Sequence, residues 1–516
     1  MAGPQSYPRQ YVSRLVPSHP TLVLMMIVAT SVADSVLLGY DSSLMGSLNV
    51  MPTYTSYFTL NTATKSLNTG IAYLGGTVSA VGAGFLTDWR GRREAIFWSC
   101  VITLIGAVLM SSATHIAMFI VGRFIIGMGL GVAATATPTY VAETCPPKHR
   151  AFALGLYYSC WGVGTMIAAG ICYRTQHLSS TWAWRTPALV QVGPSIITAL
   201  VLLFVPESPR WLVSQDRHAE ALEVLAIVNA EGDKDDPLVL LQYREITDTI
   251  AWEKGEGGQL KLKQAMTSPL NRKRLIIAIS FSAMVMLPGT NIVTYYFGTM
   301  LEQAGITDPT TQLEINIILT AWSFVIAVVS SYFADKFGRK LLCCLSLGGQ
   351  VIAFYLVGGL TAVYGSSTHT SGIYATIAMI FIYNGMYSFG ITPLTVLYPP
   401  EVLSYKIRAT GMGLYTMSTK LCGLFVTMVF PFALDAIGWK TYIINASFDI
   451  LMIAFVIFYW VETKGLTLEE VDERFDGVKH SSVPDLEELK RGKVDLVIDG
   501  LEPVTHVPTI RSGKKE

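Results

Sequence analysis

Twelve long apolar stretches are the feature that most constrains how this chain can fold. Each holds about 20 mainly apolar residues, which is the length that an α-helix needs to cross roughly 30 Å of hydrocarbon. Only 14% of the 516 residues are charged, against roughly a quarter in soluble proteins of ordinary composition. We therefore expect an all-α polytopic membrane protein with twelve transmembrane helices. The stretches lie at 21–46, 66–87, 94–113, 116–141, 151–172, 186–205, 273–300, 313–334, 341–363, 373–399, 407–432 and 439–461.

Basic residues are concentrated in alternate connections between these stretches. By the positive-inside rule, the basic connections and both termini are expected to face the cytoplasm. The longest of them, 206–272, contains two amphipathic pieces, so we expect it to form a cytoplasmic helical loop. Between the start of the first stretch and the end of the last, most Lys and Arg lie in the connections 88–93, 145–150, 206–272, 335–340 and 404–408, whereas 111–115 and 364–372 contain neither.

These expectations divide the chain into five parts. The last part is charged and contains several prolines, which predicts that it is largely disordered. The parts are a cytoplasmic N-terminal segment (1–20), an N-terminal six-helix half (21–205), the cytoplasmic helical loop (206–272), a C-terminal six-helix half (273–461) and a cytoplasmic tail (462–516).

Two short motifs recur at equivalent places in the two halves. Asp-x-x-Gly-Arg follows the second and the eighth stretch, and a Glu with an Arg seven residues later follows the fourth and the tenth. Such groups at helix ends can form ion-pair clusters that hold one face of a bundle shut and separate when its halves rock apart. The alternative is that they only anchor helix ends at lipid headgroups. The residues are Asp88, Arg92, Glu143 and Arg150 in the first half, and Asp335, Arg339, Glu401 and Arg408 in the second.

The composition argues against several other classes of protein. The net charge is zero, which gives no reason to expect nucleic acid as a partner. None of the seven cysteines lies in a CxxC or Cys/His spacing, so we expect neither a metal site nor disulfides. The sequence has no nucleophile elbow, P-loop or dinucleotide-binding fingerprint after a strand, which argues against an enzyme and against an organic cofactor.

Taken together, the motifs resemble those of the sugar porters of the major facilitator superfamily, over residues 20–465. The resemblance implies the major facilitator fold, with two six-helix halves and alternating access to a central site between them. It also implies a monomer embedded in lipid, in the plasma membrane, with a sugar as the first expected substrate. The matching segments are GRFIIGMGLG at 122–131, PTYVAET at 138–144, PESPRWL at 206–212, GTNIVTYY at 289–296 and VETKG at 461–465, and those similar to the fungal lactose-permease-like branch are GYDSSLMGSLN at 39–49 and GLYYSCWGVG at 155–164.

An aspartate and an arginine lie at similar depth in the first and fourth stretches. Asp41 comes about 20 residues into the first stretch, and Arg123 some 7 residues into the fourth, which runs the opposite way. Ionisable groups inside a span are costly and usually functional. In the family that the chain resembles, this pair couples transport to protons, which implies symport with the proton as coupling ion. The alternative is a static pair that holds the two helices together.

Two further charges lie near the expected bilayer midplane. Asp34 and Lys420 each come about 13 residues after the cytoplasmic start of their stretches, and the family pattern predicts neither. Lys420 can meet an anionic substrate as a point charge. Alternatively, Lys420 and Asp34 neutralise one another across the two halves, or Lys420 is deprotonated or extends into a polar cavity.

The expected substrate site matches the sugar-binding pattern only in part. The family binds sugar hydroxyls with Gln and Asn amides, which donate and accept at once, and with an aromatic face. Here Val285 and Met286 stand where paired glutamines are expected, and Lys420 stands where a tryptophan is expected. Any single aromatic residue among the candidates can instead serve packing alone. The candidate substrate residues are Tyr157, Tyr158, Trp161, Asn291, Tyr295, Asn384, Tyr387, Thr392 and Lys420.

The leading hypothesis is therefore a proton-coupled porter for a sugar or a sugar-like polar solute. The missing glutamines and Lys420 favour, as the alternative, a carrier for a non-sugar or anionic metabolite on the same scaffold. A nutrient sensor that binds without transporting is the third hypothesis, and the short tail argues against it, because sensors of this family tend to have very long cytoplasmic tails.

Overall fold

The computed structural model of the chain describes residues 10–254, 262–365, 367, 369–464, 471 and 474–475. Within those residues the regular structure is helical and contains no strand. The helices of the first half are α1 (Pro20–Val50), α2 (Pro52–Tyr57), α3 (Thr62–Arg90), α4 (Arg92–Ser111), α5 (Ile116–Thr144), α6 (Pro147–Thr175), α7 (Trp182–Val190) and α8 (Val192–Val201). Between the halves lie α9 (Pro209–Ser214), α10 (His218–Asn229), α11 (Pro237–Lys254) and α12 (Leu262–Thr267). The second half contains α13 (Pro269–Met286), α14 (Thr290–Tyr295), α15 (Phe297–Gln303), α16 (Pro309–Phe337), α17 (Arg339–Tyr364), α18 (Thr370–Val402), α19 (Tyr405–Ile437) and α20 (Lys440–Tyr459).

Twelve helical segments of the described chain are long and apolar enough to span a membrane. The prediction of an all-α polytopic membrane protein with twelve transmembrane helices is confirmed. The expected disorder of the tail concerns a segment that is almost wholly outside the described residues. We number the membrane segments spans 1 to 12; they are α1, α3, α4, α5, α6, α7 with α8, α13 with α14, α16, α17, α18, α19 and α20.

Both Asp-x-x-Gly-Arg motifs form the same turn between two antiparallel spans. Gly91 has φ 97° and ψ 165°, and Gly338 has φ 87° and ψ 160°, a backbone conformation that is open to glycine almost alone. The Glu207 carboxylate accepts the first backbone N–H of α4 at 3.0 Å, and the Glu462 carboxylate accepts that of α17 at 2.8 Å. The N-cap residue of each helix is a glycine, which has no side chain to accept a backbone N–H. Each glutamate side chain therefore caps the helix in its place. We call the end of the bundle that carries these turns the basic face, and the other end the opposite face.

Glycines allow the spans of the first half to pack closely. A Cβ at Gly127 on α5 would lie 2.1 Å from the carbonyl oxygen of Ala72 on α3. A Cβ at Gly164 on α6 would lie 2.1 Å from the carbonyl oxygen of Val36 on α1. Small residues at such crossings let helix backbones approach each other, which is a main source of packing energy in lipid.

Span 7 is interrupted between α13 and α14. A break inside a span frees backbone carbonyl groups, which must find donors within the protein because hydrocarbon supplies none. The Asn445 side-chain amide donates to the carbonyl oxygen of Leu287 at 2.9 Å, and the Tyr383 hydroxyl donates to that of Pro288. We call this break, residues 287–289, the span 7 hinge. It is therefore held by side chains of spans 10 and 12.

Polar contacts between the two halves lie toward the opposite face. They join α1 to α14 and α16, α3 to α19, and α6 to α16. These contacts include the pairs Asn49 with Tyr295 (3.3 Å), Ser66 with Met428 (2.9 Å), Thr62 with Asp435, Tyr173 with Glu314 (3.0 Å) and Ser47 with Asn316 (3.1 Å).

Toward the basic face the same helices part. Gly76 on α3 still lies beside Lys420 on α19, since a Cβ there would be 3.4 Å from Lys420 Cδ. In the same antiparallel register Gly84 and Gly413 would stand opposite each other two turns further on, yet a Cβ at either would meet nothing within 4 Å. Across the described residues, the bundle is closed at the opposite face and open at the basic face.

Replacing Gly91 by alanine is expected to destabilise the protein by about 1–3 kcal/mol, because a side chain strains this backbone conformation. The new Cβ would also lie 2.5 Å from Glu207 Oε2. Gly193→Ala on α8, where a Cβ meets open space, is the matched control and should leave stability unchanged. Thermal unfolding in detergent, followed by tryptophan fluorescence, measures both. Equal midpoints for the two variants would contradict this account of the turn.

Candidate functional site

Asp41 and Arg123 form a buried ion pair within the first half. Asp41 lies on α1 and Arg123 on α5, and both side chains are almost fully buried. Arg123 Nη1 donates to Asp41 Oδ1, and its Nε donates to the carbonyl oxygen of Asn68 at 3.3 Å. The structure thus brings together the two residues expected to pair. Removing one buried charge while leaving the other uncompensated costs roughly 3–5 kcal/mol, so the protonation state of Asp41 bears directly on how these spans pack.

A pair of tyrosines connects this ion pair to the second half. The hydroxyl of Tyr73 on α3 lies 3.1 Å from the hydroxyl of Tyr295 on α14, which is a hydrogen bond between the halves. Tyr295 also lies within electrostatic range of Asp41 and Arg123. The sequence pattern did not single out Tyr73, because one tyrosine in an apolar stretch carries no signal that distinguishes a site from packing.

Lys420 lies beside the same tyrosines. Its Nζ is 5.9 Å from the centre of the Tyr73 ring, and it lies within electrostatic range of Asp41. The side chain is half-buried and makes no ion pair with any residue that the structure describes. Lys420 is therefore placed to meet an anionic group near the junction of the two halves.

Asp34, in contrast, faces its own half. It is almost fully buried, and its carboxylate lies beside the Thr137 hydroxyl on α5 and within electrostatic range of Cys100 on α4. The structure does not bring Asp34 and Lys420 together, which removes support for the hypothesis that they neutralise one another. Their distances from the helix starts predicted a common depth but not the direction in which each helix turns its side chain.

Three aromatic candidates lie on α6. Tyr157 is almost fully buried, and its backbone carbonyl accepts a hydrogen bond from the Ser35 hydroxyl on α1. Trp161 is 41% exposed, more than any other candidate whose side chain is described. The side chain of Tyr158 lies outside the described part of the chain. Trp161 can offer a ring face to a ligand, whereas Tyr157 belongs to the packing of spans 1 and 5.

Asn291 and Tyr387 both contact the end of α13, next to the span 7 hinge. Asn291 Nδ2 is 3.7 Å from the sulfur of Met286, and the Tyr387 hydroxyl donates to the carbonyl oxygen of Val285 at 3.2 Å. Met286 and Val285 are the two residues that stand in place of the expected glutamines. In this chain they offer a thioether and a backbone carbonyl where amides would offer both donors and acceptors.

The two remaining candidates lie on α18. Asn384 Nδ2 donates to the Ser323 hydroxyl on α16 at 2.5 Å, and Thr392 is half-buried. Ser323 therefore joins the polar groups of the second half, although a serine within an apolar stretch gave no sequence signal. Both Asn384 and Ser323 can exchange their mutual hydrogen bond for one to a bound solute.

Each half carries one ion-pair cluster at the basic face. In the first half Arg92 Nε lies 3.0 Å from Glu143 Oε2, and Nη1 donates to Asp88 at 3.2 Å. In the second half Arg339 donates to Glu401 through Nε at 3.0 Å and Nη2 at 2.8 Å. The side chain of Asp335 falls outside the described residues.

The clusters contain further members that the two repeated motifs do not include. In the first half Ser208 donates to Glu143, and the Tyr140 hydroxyl donates to the carbonyl oxygen of Pro206 at 2.6 Å. In the second half Thr463 donates to Glu401 at 2.6 Å, and the Tyr398 hydroxyl donates to the carbonyl oxygen of Val461 at 3.0 Å. The sequence signal was present as Tyr-x-x-Glu at 140–143 and 398–401, and as Glu-(Ser/Thr) at 207–208 and 462–463.

Glu207 is a partly buried carboxylate beside the first cluster. Burial raises the pKa of the Glu207 carboxyl, although N–H donors from Ser208, Arg93 and Arg92 act in the opposite direction. The cluster will therefore lose its negative charge at Glu207 at a higher pH than an exposed glutamate would. Since this carboxylate caps α4, the turn at the basic face loosens as it is protonated.

Arg150 does not complete the first cluster in the way the spacing suggested. Arg150 is exposed and is not among the partners of Glu143 in the described residues. Arg408 Nε donates to the carbonyl oxygen of Leu403 at 3.3 Å, at the start of its own helix. The described ion pairs of each cluster stay within one half, so in this open conformation they brace helix ends and do not bridge the two halves.

Metal chemistry has no support in the described residues. They contain no group of three or more His, Cys, Asp or Glu side chains placed to hold a metal ion. The seven cysteines are free, and four of them are buried among apolar neighbours.

The sequence model of the family described as Sugar (and other) transporter matches residues 26–475. The glucose transporter mfs1 of Aspergillus flavus is 30% identical, over 88% of this chain and 89% of its own length. The transporter criB of Aspergillus cristatus is 27% identical, over 88% of this chain and 94% of its own. The high-affinity glucose transporter of Kluyveromyces lactis is 29% identical, over 85% and 83%.

Among solved structures, the fold is similar to that of the xylose transporter XylE from E. coli in a partially occluded inward-open conformation. The TM-score is 0.72 at 20% identity, over 86% of this chain and 100% of the other. The major facilitator fold expected from the repeated motifs is thereby confirmed. Because the family match extends over most of the sequence, the chain belongs to the Sugar (and other) transporter family, the sugar porters of the major facilitator superfamily.

Proposed function

We propose that this protein is a proton symporter that moves a sugar or a sugar-like polar solute by alternating access between its two halves. The observation that carries the proposal is the buried Asp41–Arg123 pair, which lies next to the Tyr73–Tyr295 hydrogen bond between the halves. A change of charge at Asp41 therefore alters the electrostatic environment of the junction between the halves, which must open and close during transport. The proton is the only coupling ion that the proposal requires.

Protonation of Asp41 would break its ion pair with Arg123 and loosen the contact between spans 1 and 4. The guanidinium keeps a second partner, the carbonyl oxygen of Asn68, so its charge is not left without any acceptor. Release of the proton restores the pair and its tighter packing. The proton thereby gains a different binding free energy in the two conformations, which is what coupling requires.

A sugar or polyol fits the side chains available between the halves. Trp161 offers a ring face, and Asn291 and Asn384 offer amides that donate and accept. Two of the relatives reported above are named as glucose transporters. The missing glutamines leave fewer paired donors and acceptors, which favours a solute with fewer hydroxyls to satisfy, or a larger one with an apolar part.

The basic face is proposed to be the cytoplasmic one, because the basic connections cluster there. The structure would then represent the state open to the cytoplasm, with both termini on that side. Residence in the plasma membrane and action as a monomer complete the proposal.

An anionic solute is the second candidate, and Lys420 is the observation that favours it. This lysine lies at the junction of the halves without an ion pair among the described residues, within range of Asp41. A carboxylate on the solute would satisfy the ammonium, and a charge-assisted hydrogen bond contributes about 1.5–3 kcal/mol.

Closure of the basic face is expected to bring Gly84 and Gly413 into contact. Gly413→Leu should therefore block closure and lower the rate of solute uptake by at least about tenfold, since an obstruction worth about 1.4 kcal/mol already has that effect. Gly359→Leu on α17, where a Cβ also meets open space, is the control and should transport normally. Uptake into proteoliposomes measures both. Equal uptake by the two variants would show that α3 and α19 do not close in this register.

Asp41→Asn is expected to abolish concentrative uptake while leaving exchange intact. With a difference of one pH unit and no membrane potential, one coupled proton supports about tenfold accumulation, because it releases about 1.4 kcal/mol. The variant cannot cycle a proton, so its solute ratio should stay near unity. Glu302→Gln, which alters an exposed carboxylate on α15 outside the contacts between the halves, is the control. Continued accumulation by Asp41→Asn would remove Asp41 from the coupling step.

Lys420→Gln separates the two substrate classes. The solute panel pairs hexoses and polyols with the matching sugar acids. If the solute is anionic, uptake of the acid should fall by about tenfold or more through loss of a charge-assisted hydrogen bond, whereas neutral sugars are unaffected. Lys440→Gln, at the start of α20, serves as the control. Unchanged uptake of every acid would eliminate the anionic candidate, and an equal loss for acids and neutral sugars would make Lys420 structural.

A further inference from the structure

A carboxylate that neither the family motifs nor the coupling pair includes lies at the middle of span 12. Asp449 comes halfway along α20 and has no solvent exposure. Neither of its side-chain oxygens has a hydrogen-bond partner among the described residues, and no cation pairs with it there. Among the buried carboxylates of the spans, it differs in this from Asp41, whose charge is met by Arg123.

Two buried amide side chains near the level of Asp449 also carry an oxygen acceptor without a partner among the described residues. Asn445, one turn earlier on α20, uses its amide N–H on the span 7 hinge and leaves Oδ1 unsatisfied. Gln350 on α17 is fully buried, donates to Ser346 at 3.0 Å, and leaves Oε1 unsatisfied. The antiparallel register of α17 and α20, set where Gly358 meets Ile443, brings Gln350 to the level of Asp449.

This surplus of acceptors indicates a missing donor. A bare carboxylate at mid-membrane depth, with no cation and no donor, is among the most costly groups that a protein can hold. A proton on Asp449 removes the charge and supplies one O–H, which can donate to a neighbouring acceptor such as Gln350 Oε1 or Asn445 Oδ1. A divalent metal is a poorer occupant, because the described residues here provide one carboxylate and no histidine.

The same cluster holds the span 7 hinge. Asn445 donates to Leu287, and Tyr383, which lies within electrostatic range of Asp449, donates to Pro288. An ionised Asp449 would compete for these two donors, and the hinge carbonyls would then lack partners in a medium without water. The hinge connects α13 to α14, whose last residue makes the contacts with Asn49 and Tyr73 that join the halves.

We propose that Asp449 is a second proton-binding site of this transporter, whose proton keeps the span 7 hinge in the conformation that seals the opposite face. Opening of that face moves α14, admits water to the cluster and lets the proton leave. Asp449 therefore holds its proton more tightly in the closed state, so by linkage low pH favours closure and high pH favours opening. The site lies in the second half and does not require Asp41 to be the coupling residue.

Few other titratable groups face Asp449 and could make the opening of the opposite face depend on pH. From α18 the facing titratable group is Tyr383. The charged residues of α17 are confined to its start at the basic face, and Lys420, at mid-length of α19, faces α3. Asp41, on the far side of the hinge, is the titratable group that the test must separate from Asp449.

Spin labels on the opposite face report whether it is open. Ser56→Cys follows span 1 and Thr307→Cys precedes span 8, and both positions are exposed. The three half-buried cysteines, Cys160, Cys344 and Cys422, are replaced by serine to prevent other labelling. Pulsed electron paramagnetic resonance in lipid nanodiscs then gives the ratio of open to closed molecules between pH 5 and pH 9.

The comparison is made in the Asp41→Asn background, with and without Asp449→Asn. Asparagine is close in shape to protonated aspartate, so the double variant should fold and remain closed throughout. In Asp41→Asn alone, the open-to-closed ratio should rise with pH by up to about tenfold per pH unit, as one linked proton dictates. A ratio that does not change with pH in Asp41→Asn, or the same pH dependence in both proteins, overturns the proposal. Neither result depends on whether Asp41 drives accumulation, which the uptake assay tests separately.

Tyr383→Phe tests the hinge without altering any carboxylate. It removes the donor to Pro288, so the open population should increase already at low pH, where Asp449 carries its proton. Phe381→Tyr on the same helix controls for the aromatic exchange and should leave the ratio unchanged. An unaltered open population in Tyr383→Phe would refute the role of the cluster in holding the hinge.

Discussion

The lack of water in the hydrocarbon core is the constraint on which the rest of this structure depends. Every polar group in a span must find its partner inside the protein. Asp41 does so with Arg123, and the carbonyl groups of the span 7 hinge do so with Asn445 and Tyr383. Where a partner is missing, as at Asp449, a proton completes the site. The positions at which the protein can bind and release protons are therefore the positions at which polar groups are hardest to satisfy.

The internal repeat extends beyond the motifs that reveal it. In both halves a glycine turn is capped by a glutamate from the chain that leaves the last span, and a neighbouring arginine is held by the glutamate of a Tyr-x-x-Glu motif. The described ion pairs of each cluster lie within one half. Each half is thereby braced at its basic face and can move as a unit, so motion is concentrated where the halves meet, near Tyr73 and Tyr295.

Much of the fold could be predicted from the sequence, because span length and the positions of loop charges are set by the bilayer itself. The pairing of Asp41 with Arg123 was also predictable, since equal depth in two adjacent antiparallel spans leaves few other partners. The relation of Asp34 to Lys420 was not, because depth does not determine which way a helix turns a side chain. Asp449 was overlooked for a related reason. A single aspartate in an apolar stretch becomes informative only when the burial and the missing partners around it are known.

The central claim is that the two halves open one face while closing the other, about the junction beside the Asp41–Arg123 pair. It is tested most directly by measuring distances across both faces of the protein in one bilayer preparation, with labels at the exposed positions 148 and 336 for the basic face and 56 and 307 for the opposite face. We predict one short and one long distance at each face. Any condition that increases the short fraction at one face should decrease it at the other by the same amount. Short-distance fractions that vary independently at the two faces would contradict the account, as would molecules with the short distance at both faces under every condition.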